Sequence, residues 1–215
     1  FDHWARAASV PVEQVNGRFR MDEAYARHER GEISASEYFA YLGKSLDLPL
    51  NETQFLAGWE RMVDGEIAGV SALLAGFSGK RPMYVFSNTN AAHYALWGPA
   101  HRGLLARFER LFLSFEMGMR KPERQAFEHI SSEIGVPMPR ILFFDDTMEN
   151  IDAAQELGIQ AMLSREIEDL EKVNFLLQKR GPDATNHVII DDYNFVHNLL
   201  SITGDFTPQP LIDGD

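Results

Sequence analysis

The chain has 215 residues, and 32 aspartates and glutamates against 20 lysines and arginines give it a formal net charge of −12. This excess of acid excludes the broad basic surface of a nucleic-acid-binding protein, although a local cation can still admit an anionic substrate. The absence of cysteine excludes disulfides and thiol nucleophiles, and no apolar run approaches the roughly 20 residues of a membrane span. We therefore expect a cytoplasmic protein without nucleic-acid or membrane partners, monomeric by default.

The first 70 residues are predicted to be helical, without a convincing strand. Residues 34–37 form a capping-box pattern, in which Ser34 accepts from a backbone N–H and Glu37 reaches back. Asn51 is a second candidate cap, followed by apolar residues at helical spacing. The stretch from Glu66 to Ala75 is predicted to be a helix that leads into a sheet.

Three short apolar runs after Gly79 predict strands, namely Met83–Phe86, Ile141–Phe144 and Ile159–Leu163. Apolar strands that do not alternate with polar residues, and that helices separate, are typical of a parallel sheet covered on both faces. The first two runs end in polar residues. Because ligands of open α/β sheets bind where the strands end, we expect a site at this edge.

The C-terminal part of the chain is harder to place. His187–Ile190 is interpreted as an edge strand, and Asp191-Asp192 as the turn that ends it rather than as a catalytic pair. Phe195–Ile202 is predicted to be a short helix, and residues 203–215 a poorly ordered terminus.

Two of the strand and helix ends carry residues suited to phosphate. Ser87 and Asn88 close the first strand, where a hydroxyl and free backbone N–H groups can hold a phosphoryl oxygen, although a simple turn and helix cap explains the same pair. Lys121 precedes Pro122, which predicts a helix opening with proline in its first turn. A cation is unfavourable beside a helix N-terminus unless an anion lies between them. An ordinary solvated lysine next to Arg120 is the alternative.

Asp145 and Asp146 directly follow the second apolar run. Magnesium prefers oxygen ligands and takes one or two protein carboxylates, so the pair is a candidate metal site. The N-terminus of the next helix attracts carboxylates equally well, which leaves plain capping open. Asn150 lies about one turn beyond Asp146 and is a candidate to brace the site, whereas Asp152 is interpreted as solvated.

The order of these motifs matches the second, third and fourth motifs of the haloacid dehalogenase superfamily. Four segments, residues 28–34, 87–90, 118–123 and 143–146, resemble the bacterial glucose-1-phosphatase-like group, and the likeness spans about residues 1 to 165. A response-regulator receiver uses a similar set of residues, but there the acid pair comes first and the lysine last.

The resemblance implies an α/β fold, with a Rossmann-like core of parallel sheet and a small helical cap inserted near the N-terminus. The cap would comprise residues 8–70, the core residues 71–202 and the tail residues 203–215. It also implies Mg²⁺ as cofactor and a small phosphorylated metabolite, such as a sugar phosphate, hydrolysed through an aspartyl-phosphate. Ser87 and Asn88 would hold the phosphoryl group.

The same resemblance assigns roles to the remaining motif residues. Lys121 would neutralise charge on the nucleophile and the phosphate. Asp146 would ligate magnesium with Asp145 in support, and Asn150 would lie behind these ligands. Aromatic residues of the cap, such as Tyr25, would line the entrance to the site or serve only for packing.

The first motif of the family, an apolar strand that ends in Asp-x-Asp before the cap, is not found. By register Phe1 already lies beyond it, and Asp2 is interpreted as a helix-entry residue. The nucleophile and its strand are therefore expected to lie outside the given chain, before residue 1. Two alternatives stay open: a catalytically inactive relative that binds a ligand or partner, and a 2-haloacid dehalogenase. The acid pair Asp145-Asp146 disfavours the dehalogenase, because such an enzyme needs no magnesium and has little reason to cluster acids.

Overall fold

Helices fill the N-terminal part of the computed structural model, which describes residues 1–62, 69–77, 81–164 and 187–191. Both predicted caps are confirmed, because Ser34 and Glu37 exchange the two hydrogen bonds of a capping box, and Asn51 and Gln54 do the same. No helix in these ranges is both long and apolar enough to cross a membrane. The N-terminal helices are α1 (Asp2–Ala8), α2 (Val12–Arg18), α3 (Glu23–Glu29), α4 (Ala35–Leu46) and α5 (Glu52–Trp59), followed by a 3₁₀ turn at Glu60–Met62.

These five helices enclose a hydrophobic cluster of their own, rich in aromatic side chains. Trp4 of α1 lies at its centre, where its indole N–H donates to the Phe55 carbonyl at 3.0 Å. The ring of Trp4 also stacks on Trp59, with the centroids 5.9 Å apart. The first helices are therefore held together by packing among themselves.

Close packing between α1 and α5 predicts a large effect of a small substitution at Gly58. A Cβ at this position would clash with the buried indole of Trp4. We expect Gly58→Ala to lower the free energy of unfolding by about 1–3 kcal/mol, as overpacking does. Gly17→Ala in α2 is the matched control, because a Cβ there meets nothing within 4 Å. It should raise stability by up to about 1 kcal/mol. Urea denaturation measures both, and equal effects would contradict the packing described here.

A five-stranded parallel sheet forms the core of the described chain, and the fold class predicted from the sequence is confirmed. The strand order is β2-β1-β5-β3-β4. Strand β2 was not predicted, although it is also a short run dominated by apolar residues. The strands are β1 (Met83–Ser87), β2 (Arg110–Leu113), β3 (Ile141–Asp145), β4 (Gln160–Leu163) and β5 (His187–Ile190).

Strand β5 lies at the centre of this sheet, so the prediction of an edge strand is wrong. Val188 pairs with Met83 of β1 on one side and with Leu142 of β3 on the other. Val188, Ile189 and Ile190 are all buried, as expected for a strand covered on both faces. A strand from the C-terminal part of the chain therefore separates the strands that end at Ser87 and Asp145.

Helices cover both faces of the sheet. Alternate residues of β5 enter different hydrophobic clusters, Val188 on the face of α6 and α7 and Ile189 on the face of α10 and α11. The predicted helix at Phe195–Ile202 and the tail lie outside the described residues, as does the beginning of the helix predicted from Glu66. The flanking helices are α6 (Val70–Phe77), α7 (Ala91–Ala100), α8 (Arg102–Leu105), α9 (Ser114–Met117), α10 (Arg124–Ile134) and α11 (Met148–Glu156), with a 3₁₀ turn at Met138–Arg140.

Candidate active site

Polar residues from three adjacent strands meet at the carboxyl edge of the sheet. Ser87 ends β1, Asp145 ends β3, and Asp191 directly follows β5, which lies between them. The loop before α10 brings Lys121 to the same place. Because the strands are parallel and adjacent, their carboxyl ends lie side by side, and residues far apart in sequence form one site.

Lys121 is the centre of this site and is only 1% exposed. Its ammonium donates to Asp145 Oδ2 at 2.8 Å, to Asp191 Oδ1 at 2.6 Å and to the Phe86 carbonyl at 2.8 Å. Three acceptors match the three N–H groups of a lysine. Burial lowers the pKa of Lys121, but attraction to the two carboxylates outweighs it, so the net shift is upward and the ammonium stays charged. The alternative of a solvated lysine is therefore wrong.

Asn88 fixes the backbone at Lys121. Its Oδ1 accepts from the Lys121 N–H at 2.8 Å, and its Nδ2 donates to the Lys121 carbonyl at 2.9 Å. The peptide bond from Lys121 to Pro122 is cis, and α10 begins at Arg124 rather than at the predicted proline. Asn88 thus positions the lysine, and its predicted contact with a phosphoryl group stays a prediction.

Asp145 is fully buried, and both of its carboxylate oxygens are engaged. Oδ2 pairs with Lys121, while Oδ1 accepts from the Thr147 N–H and from Asn150 Nδ2, each at 2.9 Å. The sequence predicts that Asn150 braces the site, and in the structure its amide holds Asp145. This aspartate is consequently held in one orientation by α11 and the loop before it.

Asp146 is half-buried beside these groups. Burial raises its pKa, and repulsion from Asp145 adds to the shift. One carboxylate oxygen each from Asp145, Asp146 and Asp191 can be chosen so that all three lie within 4.8 Å of one another. Hard oxygen donors at this spacing fit a divalent cation such as magnesium, which would relieve the repulsion between them.

Ser87 shows a different signal for a ligand. It is 0% exposed, and its hydroxyl has no hydrogen-bond partner in the described part of the protein. A buried hydroxyl without a partner costs about 1–3 kcal/mol, so the position favours a ligand that supplies one. Ser114, which the sequence did not single out, is in contrast satisfied by the backbone of Thr89 and fixes the segment after β1.

Two ion pairs join the N-terminal helices to the loop that carries Lys121. Arg30 binds Glu123 through Nη1 at 2.8 Å, and Arg120 binds Glu29 through Nε at 2.7 Å. Burial raises the pKa of Glu29, against the opposing attraction of Arg120. The loop is therefore held by α3 on one side and by Asn88 on the other.

An aromatic cluster lies where the N-terminal helices meet α7. The rings of His28 and Tyr38 stack at 4.6 Å, Tyr38 lies 5.7 Å from Trp59, and Trp59 reaches His93 of α7 at 6.2 Å between centroids. Tyr38 Oη and Trp59 Nε1 are buried without a partner among the described residues. These side chains combine packing with polar atoms that a ligand can satisfy.

Asp191 is the residue of this site that the sequence interpretation missed. It was assigned to a turn at the edge of the sheet, but it is 6% exposed and bonds the central lysine. Asp192 lies outside the described residues. The sequence did contain a signal for Asp191, because the apolar run His187–Ile190 is followed by two aspartates, just as Ile141–Phe144 is.

The fold belongs to the α/β class, and the charged site at the carboxyl edge of its parallel sheet is a candidate active site. The family follows from comparison with known proteins, because a sequence profile of the haloacid dehalogenase-like hydrolases matches residues 16–158, and the chain belongs to this family. The resemblance found in the motifs is thereby confirmed at the level of the family. The narrower glucose-1-phosphatase-like group stays a prediction.

Several curated relatives are phosphatases. The chain is 29% identical over 147 residues to a sesquiterpene phosphatase from Aspergillus oryzae. The matched stretch covers 66% of this chain and 73% of that protein. It is 25% identical over 176 residues to a drimenol cyclase from Aspergillus calidoustus, covering 79% of this chain but only 33% of the cyclase. An enolase-phosphatase from Stenotrophomonas maltophilia matches at 27% over 113 residues, 52% of this chain and 46% of that one. The chain thus spans a third to three-quarters of these relatives.

Solved structures show the same fold. A haloacid dehalogenase family enzyme from Bacteroides thetaiotaomicron, in complex with magnesium and inorganic phosphate, superposes with a TM-score of 0.64 at 24% identity, covering 76% of this chain and 84% of that one. A predicted hydrolase of the family from Porphyromonas gingivalis gives a TM-score of 0.66 at 19% identity, with coverages of 80% and 87%. At these identities the likeness shows the fold alone.

Proposed function

We propose that this protein is a magnesium-dependent phosphatase that hydrolyses small phosphomonoesters through an aspartyl-phosphate. The observation that carries the proposal is the buried ammonium of Lys121, bound to two carboxylates at adjacent strand ends. A buried cation is costly unless it is paired, and at a strand edge it can offset the negative charge of a phosphoryl group. Membership of a hydrolase family with phosphatase relatives supports the same reaction.

Magnesium would be held by Asp146, with Asp145 in support. Their carboxylate oxygens, together with one from Asp191, have the chemistry and the spacing of a magnesium site. When bound, the cation supplies further positive charge next to the phosphoryl oxygens. The Bacteroides relative, crystallised with magnesium and inorganic phosphate, is consistent with this assignment.

The chain's own residues would divide the work of positioning. The hydroxyl of Ser87 would donate to a phosphoryl oxygen, and Lys121 would neutralise its charge. Asn88 holds Lys121 in place, and Asn150 holds Asp145. Such sites accelerate phosphoryl transfer mainly by orientation and electrostatics, and buried, fully bonded groups need little rearrangement.

The cap, residues 8–70, would select the rest of the substrate. Tyr38 Oη and Trp59 Nε1 have no partner among the described residues, and they favour a hydroxylated group such as a sugar. Aromatic rings pack on its C–H faces while polar atoms bind its hydroxyls. A terpenyl phosphate is the second candidate. The relative named a sesquiterpene phosphatase and the aromatic character of the cluster favour it.

Turnover by the purified full chain tests the proposal. Inorganic phosphate should appear from p-nitrophenyl phosphate with magnesium present and cease when a chelator is added. Comparing kcat/KM for glucose 1-phosphate and farnesyl phosphate then separates the two substrate classes. Chloride release from a 2-chloro acid that persists with chelator would indicate a haloacid dehalogenase instead. Absence of turnover with every ester would indicate the inactive binding protein.

A further inference from the structure

We infer that Asp191, at the end of the central strand, is the nucleophile of this site, an inference that rests on the proposed phosphatase function. The nucleophile was expected outside the chain because no Asp-x-Asp motif precedes the cap, and because the adjacent Asp191 and Asp192 were interpreted as a turn. In the structure His187–Ile190 forms the central strand, which pairs with β1 and β3 on its two sides. The central strand of the described sheet therefore comes from within this chain, and Asp191 directly follows it.

The position of Asp191 distinguishes it from the other carboxylates. Its strand lies between the one that ends at Ser87 and the one that ends at Asp145. A phosphoryl group bound over this central position can reach the hydroxyl of Ser87 from one neighbouring strand and a cation at Asp146 from the other. A nucleophile at either flanking strand would lie nearer to one of these groups and farther from the other.

The hydrogen bonds of the site point to the same residue. Asp145 has Oδ1 occupied by the Thr147 N–H and Asn150 and Oδ2 by Lys121, so attack by either oxygen would break bonds that hold the site together. Asp146 is the half-buried member of the group and suits a metal ligand. Asp191 Oδ1 accepts a hydrogen bond from Lys121 Nζ at 2.6 Å. The ammonium therefore lies next to the carboxylate that would attack, where it can offset the charge of both the nucleophile and the phosphoryl group.

The reaction balances without any further reagent. A carboxylate oxygen of Asp191 forms a bond to phosphorus, the bond from phosphorus to the substrate oxygen breaks, and that oxygen takes a proton from water. A second water then attacks phosphorus and breaks its bond to Asp191. The hydroxide left by the first step takes the proton released in the second, so one water is consumed per ester.

Chemical trapping of the acyl phosphate tests the assignment directly. The full-length protein is mixed with p-nitrophenyl phosphate and magnesium, quenched in acid and reduced with borohydride, which converts a phosphorylated aspartate into homoserine. Peptide mass mapping should then find homoserine at position 191. Homoserine at another aspartate, or none in an enzyme that turns over, would overturn the inference and leave the phosphatase function standing. A protein that releases no phosphate from any ester contradicts the proposed function itself.

A pair of variants supplies a second readout. Asp191→Asn should lose turnover to the level of the buffer blank, whereas Asp152→Asn, at an exposed position on α11, should keep wild-type turnover. Thermal melting shows whether Asp191→Asn is folded. The trapping experiment uses the wild-type protein, so it decides the question even if this variant does not fold. A folded Asp191→Asn protein with wild-type turnover would overturn the inference.

Discussion

Replacing Lys121 with alanine is expected to lower the free energy of unfolding by about 3–5 kcal/mol and to abolish phosphate release. The substitution leaves two buried carboxylates, Asp145 and Asp191, without the cation that both contact, and it leaves the Phe86 carbonyl without its donor. Uncompensated buried charge is among the most destabilising consequences of a single substitution. Urea denaturation and phosphate release measure the two effects.

Controls for Lys121→Ala separate stability from chemistry. Lys44→Ala removes an exposed lysine from the last turn of α4 and should change stability by less than about 0.5 kcal/mol. A triple variant, Lys121→Met with Asp145→Asn and Asp191→Asn, removes all three charges and should regain part of the lost stability while staying inactive. If Lys121→Ala matched Lys44→Ala in both stability and turnover, the central role of the lysine would be refuted.

Asp146→Asn is expected to affect metal binding and stability in opposite directions. Loss of this carboxylate should weaken Mg²⁺ binding by at least about tenfold, as measured by titration calorimetry. Because burial and then Asp145 raise the pKa of Asp146, its ionised form destabilises the metal-free protein. This cost is absent at a pH below the pKa that Asp146 has in the unfolded chain. It grows as the pH rises through the higher pKa that Asp146 has in the folded protein. The variant should therefore be as stable as the wild type at acid pH and more stable at neutral pH.

The matched control for Asp146→Asn is Asp152→Asn, which removes an exposed carboxylate from the following helix. It should leave both magnesium affinity and the pH dependence of stability at wild-type values. Unaltered magnesium affinity in Asp146→Asn would show that the metal lies elsewhere or that the site does not need one.

Local patterns were sufficient to predict the strand ends. The runs that lead to Ser87 and Asp145 are apolar throughout and stop abruptly at polar residues, which identifies buried parallel strands and their ligand-binding edge. Side-chain caps were equally readable at Ser34 and Asn51, because the cap and its partner are three residues apart. Features that are decided within a few residues can be predicted from the sequence.

Long-range features were not accessible in the same way. The bonds of Lys121 reach across 24 residues to Asp145 and 70 residues to Asp191, and nothing near Lys121 indicates its burial. The position of β5 in the strand order also cannot be predicted from its own residues. An apolar strand has the same sequence pattern whether it pairs with one neighbouring strand or with two. Asp191 was assigned to a turn because its acid pair is adjacent, whereas the acids of the family's first motif alternate with another residue.

A crystal structure of the full-length protein with magnesium and inorganic phosphate tests the central claim most directly. We expect a magnesium ion about 2.1 Å from a carboxylate oxygen of Asp146. We also expect phosphate within hydrogen-bonding distance of both Ser87 Oγ and Lys121 Nζ. Phosphate bound away from Lys121, with the Asp146 carboxylate facing solvent and no metal beside it, would contradict the account.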